Sequence, residues 1–590
     1  MRNAFRAQSP RFPLATGLLV AIVAISFAGC GSSPPATKTA STAPTGEGAT
    51  AHPDLVVFFV LDQLGASTLE RYLPVMPEDG AFHEAAATGA FHHVAYPYAG
   101  TYTAPGHASL ATGSVPAVHG VSANKYWNAL KHHAENGLDD PAHPMFGAKD
   151  GASPSSLRLP TVGEALKATT GDRGKSVSLS LKDRGAVLVG GHHADAVLWY
   201  EDSIPGFTTS TYYAKELPAW VADWTKSHPV SDYLTAWNPE DPALLERTVG
   251  PDDQPGEGGA FGLGATFPHD PRAATDPADT FRATPGSALY LLDFAKAAYD
   301  AEDLCKDAIP DLLTVSVSTT DYVGHTFGPD SWEYLDNLRR VDRALGAFVR
   351  WVRERCPHVS FVLSSDHGHA PLVERSQKEG RKVVRVGGEV TEKLNAAVVK
   401  KLGKGTWVEA FIKPLVHLSD AGEKRRAEIL PILKAELATW PSVHSVYDPR
   451  EAETLAKSED PVARAAALSV DDLNRGDLFI VPAPYNVFDE GGKPNTGTSH
   501  GTPWDYDQVV PGLAWGMDVS PSRSDVRLSH ARIAATLAAL LGVPAPNDNH
   551  EPALPGVHAA GAAAHVCPCE KDRARARAHG KVSPNGPAPR

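Results

Sequence analysis

Three apolar runs along the chain lead into an aspartate. The run Leu55–Leu61 precedes Asp62, residues 312–317 precede Asp321, and residues 359–363 precede Asp366. Continuous runs rich in Val and Phe are typical of strands buried on both faces, as in parallel sheets covered by helices. A fourth strand is expected at residues 175–181, which lead into Lys182. The pattern therefore predicts several parallel strands with polar groups just past their carboxyl ends.

Helix-like segments lie between these predicted strands, at residues 161–169 and 331–355. The second segment repeats apolar residues at helical spacing, as expected for a helix with one buried face. Alternating strands and helices predict an α/β fold with a doubly wound, mostly parallel central sheet and helices on both faces. Such sheets bind ligands beyond the carboxyl ends of their strands. The aspartates therefore lie where an active site is expected.

Two long stretches, 185–290 and 371–495, interrupt this pattern. The second contains short predicted strands and one helix, at 382–386, 407–412, 477–481 and 423–439. Both stretches are interpreted as insertions that cap the site, inside a single catalytic domain spanning 53–556. The last segment, 557–590, is rich in Ala, Arg and Pro and is predicted to be a disordered basic tail.

The N-terminus is expected to be an export signal. Three arginines precede an uncharged apolar run at residues 14–28, which is short of the ~20 residues needed to span a membrane and predicts a signal peptide at 1–29. The sequence Ser-Phe-Ala-Gly-Cys ending at Cys30 resembles a bacterial lipobox, with Phe27 in place of the more usual Leu. The resemblance implies lipidation of Cys30, a flexible tether at 30–52, and a lipoprotein on the periplasmic side of the outer membrane or the cell surface. A plain secretory signal is the alternative.

Composition narrows the function. The chain has 55 Lys and Arg against 69 Asp and Glu, a formal net charge of −14. A protein that binds nucleic acid by neutralising phosphates is expected to be basic, so no nucleic-acid partner is predicted. The 5 cysteines exclude a disulfide-rich scaffold. After export, the remaining cysteines allow three pairings, and the sequence does not choose among them; they are Cys305, Cys356, Cys567 and Cys569.

The candidate metal ligands are histidines and aspartates. Asp321 and His325 are spaced i, i+4, Asp366 and His367 are adjacent, and His500 lies in a loop rich in Gly, Thr and Ser. Each of these residues alone is more simply a cap, a turn residue or an ordinary histidine. Together with Asp62 they offer oxygen and nitrogen ligands without sulfur, a set that suits two divalent cations such as zinc.

A nucleophile is predicted in the segment TAPGHAS, which begins at Thr103. Pro105 suits the first turn of a helix, and Thr103 is expected near its N-cap. A helix N-terminus favours a phosphate group placed before it. Thr103 alone would be interpreted as a cap, because a threonine hydroxyl becomes a competent nucleophile only if a metal lowers its pKa.

The order of these residues resembles that of the alkaline phosphatase superfamily, across about residues 54–545. The resemblance implies one zinc ion held by Asp321, His325 and His500 and a second held by Asp62, Asp366 and His367. It also implies that Thr103 lies between the metals and is phosphorylated during the reaction. Threonine nucleophiles occur in nucleotide pyrophosphatase/phosphodiesterases and in one branch of periplasmic alkaline phosphatases.

Two further elements favour the phosphatase branch. Lys182-Asp183-Arg184 resembles the Lys-x-Arg element of threonine-type phosphomonoesterases, and Asn124 stands where both branches use an asparagine to bond a phosphoryl oxygen. A monoester dianion carries more charge on its terminal oxygens than a diester, which Lys182 and Arg184 can match. We therefore expect an exported alkaline phosphatase acting on small phosphate monoesters. The alternatives are a phosphodiesterase on the same core and a non-catalytic metal-binding surface lipoprotein.

Overall fold

The computed structural model describes residues 52–258, 260–488 and 497–559. All of them fall in one compact unit. The strands, in chain order, are β1 (Leu55–Leu61), β2 (Ala90–Ala95), β3 (Lys125–Asn128), β4 (His133–Asn136), β5 (Asp139–Pro144), β6 (Gly151–Ala152), β7 (Ser176–Ser180), β8 (Ala196–Glu201), β9 (Gly206–Thr208), β10 (Asp311–Val317), β11 (Val359–Ser364), β12 (Arg385–Val386), β13 (Val408–Ile412), β14 (Leu415–Leu418), β15 (Val443–Tyr447), β16 (Leu478–Pro482), β17 (Val487–Phe488), β18 (Val509–Gly516) and β19 (Ser522–Ser529).

The α-helices of the same residues are, in chain order, α1 (Ala66–Tyr72), α2 (Ala81–Thr88), α3 (Thr103–Thr112), α4 (Pro116–His119), α5 (Val162–Thr170), α6 (Asp183–Gly190), α7 (Ala219–Ser227), α8 (Pro242–Val249), α9 (Pro277–Phe281), α10 (Pro285–Ala301), α11 (Thr319–Phe327), α12 (Trp332–Arg353), α13 (Val373–Lys378), α14 (Val390–Leu402), α15 (Asp420–Glu423), α16 (Arg426–Leu437), α17 (Ala452–Leu455), α18 (Pro461–Leu468), α19 (Asp505–Gln508) and α20 (Ala531–Leu541). Among these described helices, none is long and apolar enough to cross a membrane.

A nine-stranded sheet forms the centre, in the spatial order β19-β2-β18-β11-β1-β10-β7-β8-β9. The strands from β11 to β8 run parallel to one another. Antiparallel pairing is confined to β18, which pairs with β11 and β2, and to the edge pair β8 and β9. The four strands predicted from the sequence, β1, β7, β10 and β11, are thus adjacent in the parallel part of the sheet.

Helices cover both faces of this sheet. Val57 and Phe59 of β1 belong to a core shared with α10 and α12, whereas Val56 and Phe58 belong to a core shared with α5 and α20. Alternate residues of one strand point to opposite faces, so β1 is buried on both sides. This architecture confirms the predicted doubly wound α/β fold with its mostly parallel sheet.

The two predicted helices begin at side-chain caps. Thr161 precedes α5 and forms a capping box with Glu164, in which each side chain bonds the other residue's backbone N–H. The Ser331 side chain accepts a hydrogen bond from the backbone N–H of Tyr334 at the start of α12. Such caps satisfy N–H groups that have no partner inside the helix, which explains why both helices begin where the sequence pattern begins.

The stretch 185–290 differs from its interpretation as a cap. Its first part completes α6 and then supplies β8 and β9 to the central sheet. Aromatic residues of this stretch, among them Phe207 and Trp224, pack into the core beside α10. The aromatic residues that obscured the periodicity are therefore core residues, and this part of the chain extends the main sheet.

The stretch 371–488 builds a separate layer, which we call the cap. Its four-stranded sheet has the order β13-β14-β16-β15, and α14 and α16 pack on it around a hydrophobic core of its own. The strands predicted at 407–412 and 477–481 correspond to β13 and β16, and the helix predicted at 423–439 corresponds to α16. The strand predicted at 382–386 is reduced to the two residues of β12.

One disulfide joins Cys305 to Cys356, whose Cα atoms are 6.0 Å apart. Cys305 lies between α10 and β10, and Cys356 lies between α12 and β11. The bond therefore links these two helix-to-strand connections. This bond is one half of one of the three possible pairings. The predicted signal peptide, the predicted lipidation site Cys30 and the two cysteines Cys567 and Cys569 lie outside the described residues, as does nearly all of the predicted tail.

Candidate active site

The carboxyl ends of three adjacent strands bring the predicted ligands together. Asp62 directly follows β1, Asp366 and His367 come just after β11, and Asp321 lies on α11, which follows β10. Because β11, β1 and β10 are parallel neighbours, their carboxyl ends meet at one edge of the sheet. The side chains converge there because each follows its strand by only a few residues.

Asp62, Asp366 and His367 form what we call the inner cluster. All three side chains are completely buried. The Nε2 atom of His367 lies 3.5 Å from Asp62 Oδ1 and 3.5 Å from Asp366 Oδ2. These three atoms have no hydrogen-bond partner among the described residues, although the ring of His107 stands close, with Nδ1 3.2 Å from Asp366 Oδ2. Buried polar atoms without partners are costly, so this convergence suits a bound cation.

Asp321, His325 and His500 form what we call the outer cluster. His325 Nε2 lies 3.2 Å from Asp321 Oδ1, and His500 Nε2 lies 3.9 Å from the same oxygen. The rings of His367 and His500 stack with centroids 3.6 Å apart, so the two clusters adjoin. His367 also lies close to the outer cluster: three ligand atoms, one each from Asp321, His367 and His500, lie within 4.8 Å of one another. His367 is therefore at the boundary between the clusters.

The hydrogen bonds of the three histidines indicate which ring nitrogen is available. Nδ1 lies 2.9 Å from a carbonyl oxygen in His325 and in His367, and 2.7 Å in His500. A carbonyl only accepts, so each Nδ1 carries a proton, and in the neutral ring Nε2 presents a lone pair. Lone pairs that face carboxylate oxygens repel unless a cation lies between them. Ring nitrogens fixed in this way are typical of metal ligands, and the donor set fits zinc.

Burial and neighbouring charges shift the pKa values of the cluster. Burial, with repulsion from Asp321 and Asp366, raises the pKa of Asp62 well above its usual value. Burial also opposes ionisation of Asp321, but His325 and Lys182 outweigh it and hold the pKa of Asp321 well below its usual value. Burial lowers the pKa of His367 and of His500. His367 and His500 are therefore held neutral, the form that binds a metal. Burial also opposes the charged form of His325, but Asp321 outweighs it and raises the pKa of His325.

Lys182 lies at the junction of the two clusters. Its Nζ is 2.6 Å from Asp62 Oδ2 and 2.5 Å from Asp321 Oδ2. The expectation that Lys182 faces a phosphoryl oxygen stays a prediction; in the structure its ammonium pairs with one aspartate of each cluster. The physical reason is that buried carboxylates require a counter-charge, and this lysine supplies one.

Thr103 is the first residue of α3 and is 2% exposed. Tyr102, rather than Thr103, occupies the N-cap position. Helix α3 approaches the inner cluster closely at Gly106, where an added Cβ would stand 2.2 Å from the backbone oxygen of Asp366. The glycine of TAPGHAS therefore permits the contact that brings the start of α3 to the end of β11.

Asn124 lies beside the start of the same helix. Its Oδ1 accepts a hydrogen bond of 2.8 Å from the backbone N–H of Ala104, the residue after Thr103. This bond uses the amide oxygen, so the amide NH₂ group is the part of Asn124 able to donate to a ligand. The geometry is consistent with a donor to a phosphoryl oxygen near Thr103.

A cavity of about 330 Å³ opens over this site. Its walls come from the start of α3, the segment before β3, the turn after β4, the start of α6, the loop of His500 and the tip of the β13–β14 hairpin of the cap. Four predicted site residues line it, namely Asn124, Arg184, His325 and His500. One guanidinium nitrogen of Arg184 lies 3.6 Å from Asp183 Oδ1. His325 and His500 of the outer cluster are therefore accessible from the cavity.

Sequence reasoning missed two residues that hold the clusters in place. The backbone N–H of Gln63 donates to Asp366 and its side-chain amide donates to Asp321, at 3.1 and 2.8 Å. His107 Nδ1 lies 2.9 Å from the carbonyl oxygen of Thr103 and 3.2 Å from Asp366 Oδ2. The only available signal was position, because Gln63 follows Asp62 and His107 is the histidine of TAPGHAS.

The chain is similar to proteins of one family over most of its length. Residues 56–460 match the family described as type I phosphodiesterase / nucleotide pyrophosphatase. Alkaline phosphatase PhoV of Synechococcus elongatus is 29% identical, over 84% of this chain and 91% of that protein. A protein of Myroides odoratus named calcium-transporting ATPase is 30% identical, over 84% of this chain and 93% of that protein.

Alkaline phosphatase PafA of Elizabethkingia meningoseptica is 30% identical, over 84% of this chain and 92% of that protein. The crystal structure of wild-type PafA covers 86% of this chain, and this chain covers 99% of it, with a TM-score of 0.79 and 28% identity. The shared fold and the extent of the match agree with the resemblance carried by the site residues. The chain therefore belongs to the type I phosphodiesterase / nucleotide pyrophosphatase family, within the alkaline phosphatase superfamily.

Proposed function

We propose that this protein is an alkaline phosphatase that hydrolyses phosphate monoesters through a phosphothreonine at Thr103, with two zinc ions bound by the inner and outer clusters. The observation that carries the proposal is the pair of adjoining clusters beside the start of α3, in which histidine Nε2 atoms face aspartate oxygens. Asp62, Asp366 and His367 would hold one ion, and Asp321, His325 and His500 the other.

Bound zinc would supply Lewis-acid stabilisation of the attacking and leaving oxygens. The remaining roles belong to the chain. Thr103 accepts the phosphoryl group and passes it to water, which divides the reaction into two displacements. Asn124 and Arg184 donate to phosphoryl oxygens from the cavity wall, and Lys182 holds positive charge at the junction of the clusters.

Preference for monoesters is supported by charge and by similarity. Asn124 and Arg184 line the cavity, and Lys182 lies between Asp62 and Asp321. Together they supply two cations and one neutral donor, which suits the dianion of a monoester. A second structure of PafA carries substitutions of a threonine, an asparagine, a lysine and an arginine, the same residue types in the same chain order as Thr103, Asn124, Lys182 and Arg184. A phosphodiesterase on this core remains the second candidate, since the family description names that activity.

The test compares 4-nitrophenyl phosphate with bis(4-nitrophenyl) phosphate, which share a leaving group. We expect kcat/KM to be higher for the monoester by a large margin, and activity to disappear in chelator and return with zinc. Thr103→Ala should abolish turnover while zinc content stays at two ions per chain. Higher kcat/KM for the diester would assign the protein to the phosphodiesterases, and turnover of neither ester would favour a non-catalytic metal-binding protein.

The location is a separate proposal that depends on the sequence alone. The apolar run before Ala28-Gly29-Cys30 supports export and lipidation at Cys30, with the protein tethered to the outer membrane. Cys30→Ser should shift the protein from the membrane to the soluble fraction or arrest its processing. An unchanged distribution would contradict the tether.

A further inference from the structure

The loop before α3 and the loop of His500 are joined by reciprocal hydrogen bonds. Thr101 lies two residues before Thr103, and its carbonyl oxygen stands 2.7 Å from His500 Nδ1. Its hydroxyl donates to the carbonyl oxygen of Thr502 at 3.2 Å and accepts from the backbone N–H of Thr502 at 3.1 Å. Thr101 is completely buried. One residue therefore bonds both the ring of His500 and the chain that follows it.

Asp507, on α19, anchors this junction. Its Oδ2 accepts hydrogen bonds from the backbone N–H and from the hydroxyl of Thr502, at 2.9 and 2.6 Å. Its carbonyl oxygen accepts a hydrogen bond of 2.8 Å from the backbone N–H of Gly368, the residue after His367. Asp507 is also completely buried. The loop that carries His367 of the inner cluster is thus tied to the same junction.

The two loops also pack closely against each other. The rings of Tyr102 and His500 lie with their centroids 5.8 Å apart. Gly501 has a φ of 103°, and an added Cβ there would stand 2.2 Å from a carbon atom of the Tyr102 ring. Only glycine fits such a position without strain. The loops are therefore in direct contact in addition to their hydrogen bonds through Thr101.

The proposed reaction requires a fixed relation between His500 and Thr103. His500 belongs to the outer cluster and Thr103 would accept the phosphoryl group, yet the two residues lie on segments far apart in the chain. A misplacement of about 1 Å can cost roughly a hundredfold in rate. The hydroxyl of Thr101 bonds Thr502 rather than a predicted metal ligand, so its effect on the rate would come through position.

We infer that Thr101 is a positioning residue, whose hydroxyl, anchored through Thr502 to Asp507, keeps His500 at a fixed distance from Thr103. This inference rests on the proposed phosphomonoesterase function and adds a residue to the same site. It requires that loss of the hydroxyl alone lowers turnover, because the carbonyl oxygen that bonds His500 Nδ1 is retained in any substitution.

The experiment compares Thr101→Val with Thr101→Ser in the zinc-loaded protein, with 4-nitrophenyl phosphate as substrate. Valine has the shape of threonine without the hydroxyl, whereas serine keeps the hydroxyl. Lost partners around metal ligands cost about ten- to a hundredfold in metal affinity or activity. Thr101→Val should therefore lose about tenfold in kcat at saturating zinc, with KM little changed, and should release zinc to a chelator more readily. Thr101→Ser should stay close to wild type in both measurements.

Thr502→Val tests the junction from its other side. It removes the hydrogen bond from the Thr502 hydroxyl to Asp507 but keeps the backbone N–H that bonds Thr101 and Asp507. The kcat should therefore fall in the same direction as in Thr101→Val, but by less. If Thr101→Val does not fold, this variant decides the question, because wild-type kcat in Thr502→Val would contradict an anchored junction.

Thr112→Val is the matched control. Thr112 is a completely buried threonine at the end of α3, and its hydroxyl donates to the carbonyl oxygen of Ala108 at 2.7 Å. The substitution makes the same chemical change on the same helix, away from the junction. It should lower the urea midpoint, as Thr101→Val should, but leave kcat and zinc affinity unchanged.

The inference would be overturned by wild-type kcat in Thr101→Val at saturating zinc, since the hydroxyl would then serve stability alone. A loss in Thr101→Ser as large as that in Thr101→Val would assign the effect to the methyl group, and an equal loss in Thr112→Val would make it unspecific. In each of these cases turnover by wild type would leave the proposed function intact. Absence of turnover by wild type would overturn the proposed function and the inference with it.

Discussion

The inner and outer clusters use the same ligand types but are built differently. The inner cluster comes from residues immediately after β1 and β11, and its side chains are completely buried. The outer cluster comes from helix α11 and the loop of His500, and the side chain of His325 is 33% exposed. The cavity touches His325 and His500. The sheet thus fixes one cluster rigidly, while the other is open to substrate and solvent.

The largest effect is expected from Asp366→Asn in the inner cluster. Asparagine keeps the shape of the side chain but removes its charge. Its amide NH₂ can donate a hydrogen bond to His367 Nε2, which lies 3.5 Å from Asp366 Oδ2. Under the proposed two-zinc function, loss of one ion would remove several kcal/mol of transition-state stabilisation, so kcat/KM should fall by roughly a thousandfold or more. Zinc analysis should find about one ion per chain, which excess zinc does not restore. Recovery in excess zinc would show that the inner cluster is not rigid.

A smaller and partly reversible effect is expected from His325→Ala in the outer cluster. Because His325 is partly exposed, water can enter and replace the lost imidazole as a ligand. We expect kcat/KM to fall by roughly a hundredfold, with zinc affinity reduced and much of the activity regained at high zinc. The measurement is activity as a function of free zinc for this variant and for Asp366→Asn. An irreversible loss as large as that of Asp366→Asn would remove the distinction between the clusters.

Gln63 couples the two clusters, because its backbone bonds Asp366 and its side chain bonds Asp321. Gln63→Leu keeps the backbone bond and removes only the bond to the outer cluster. Zinc affinity of the outer cluster should fall by about ten- to a hundredfold, as found for lost partners of metal ligands. Chelator competition would show one ion leaving more readily than in wild type. Equal weakening of both ions would mean that Gln63 acts on the whole sheet edge.

The sequence predicted the parallel strands and the ligand types because continuous apolar runs ending in Asp or His are a local signal. Gln63 and His107 were missed because their roles depend on backbone geometry. Gln63 adopts a φ of 67°, a left-handed conformation that is uncommon for residues other than glycine. In this conformation its backbone N–H bonds Asp366 and its side-chain amide bonds Asp321. The strands β8 and β9 were missed because a segment rich in Gly and aromatic residues lacks the period of a strand. The pairing of Lys182 with Asp62 and Asp321 depends on burial, which spacing does not reveal.

The smallest effect on activity is expected from Asp342→Asn. This substitution distinguishes the effect of burying an aspartate from the effect of binding a metal. Asp342 on α12 is a buried aspartate, like Asp62 and Asp366. Each of the three has one side-chain oxygen without a hydrogen-bond partner among the described residues. Unlike Asp62 and Asp366, Asp342 belongs to no group of possible metal ligands found in the described residues. The substitution should therefore leave zinc content and kcat unchanged.

Its effect should appear in stability instead. Burial raises the pKa of Asp342 from 3.8 to about 7, so between these values the folded protein holds a proton that the unfolded chain has released. Wild type should therefore lose stability as pH rises through this window, and Asp342→Asn, neutral throughout, should lack this component of the loss. The measurement is urea unfolding of both proteins from pH 5 to pH 8. If the difference in unfolding free energy between the two proteins does not grow with pH, Asp342 is already charged in the folded protein. If the variant loses zinc, a buried aspartate without a histidine partner is enough to affect the metal site.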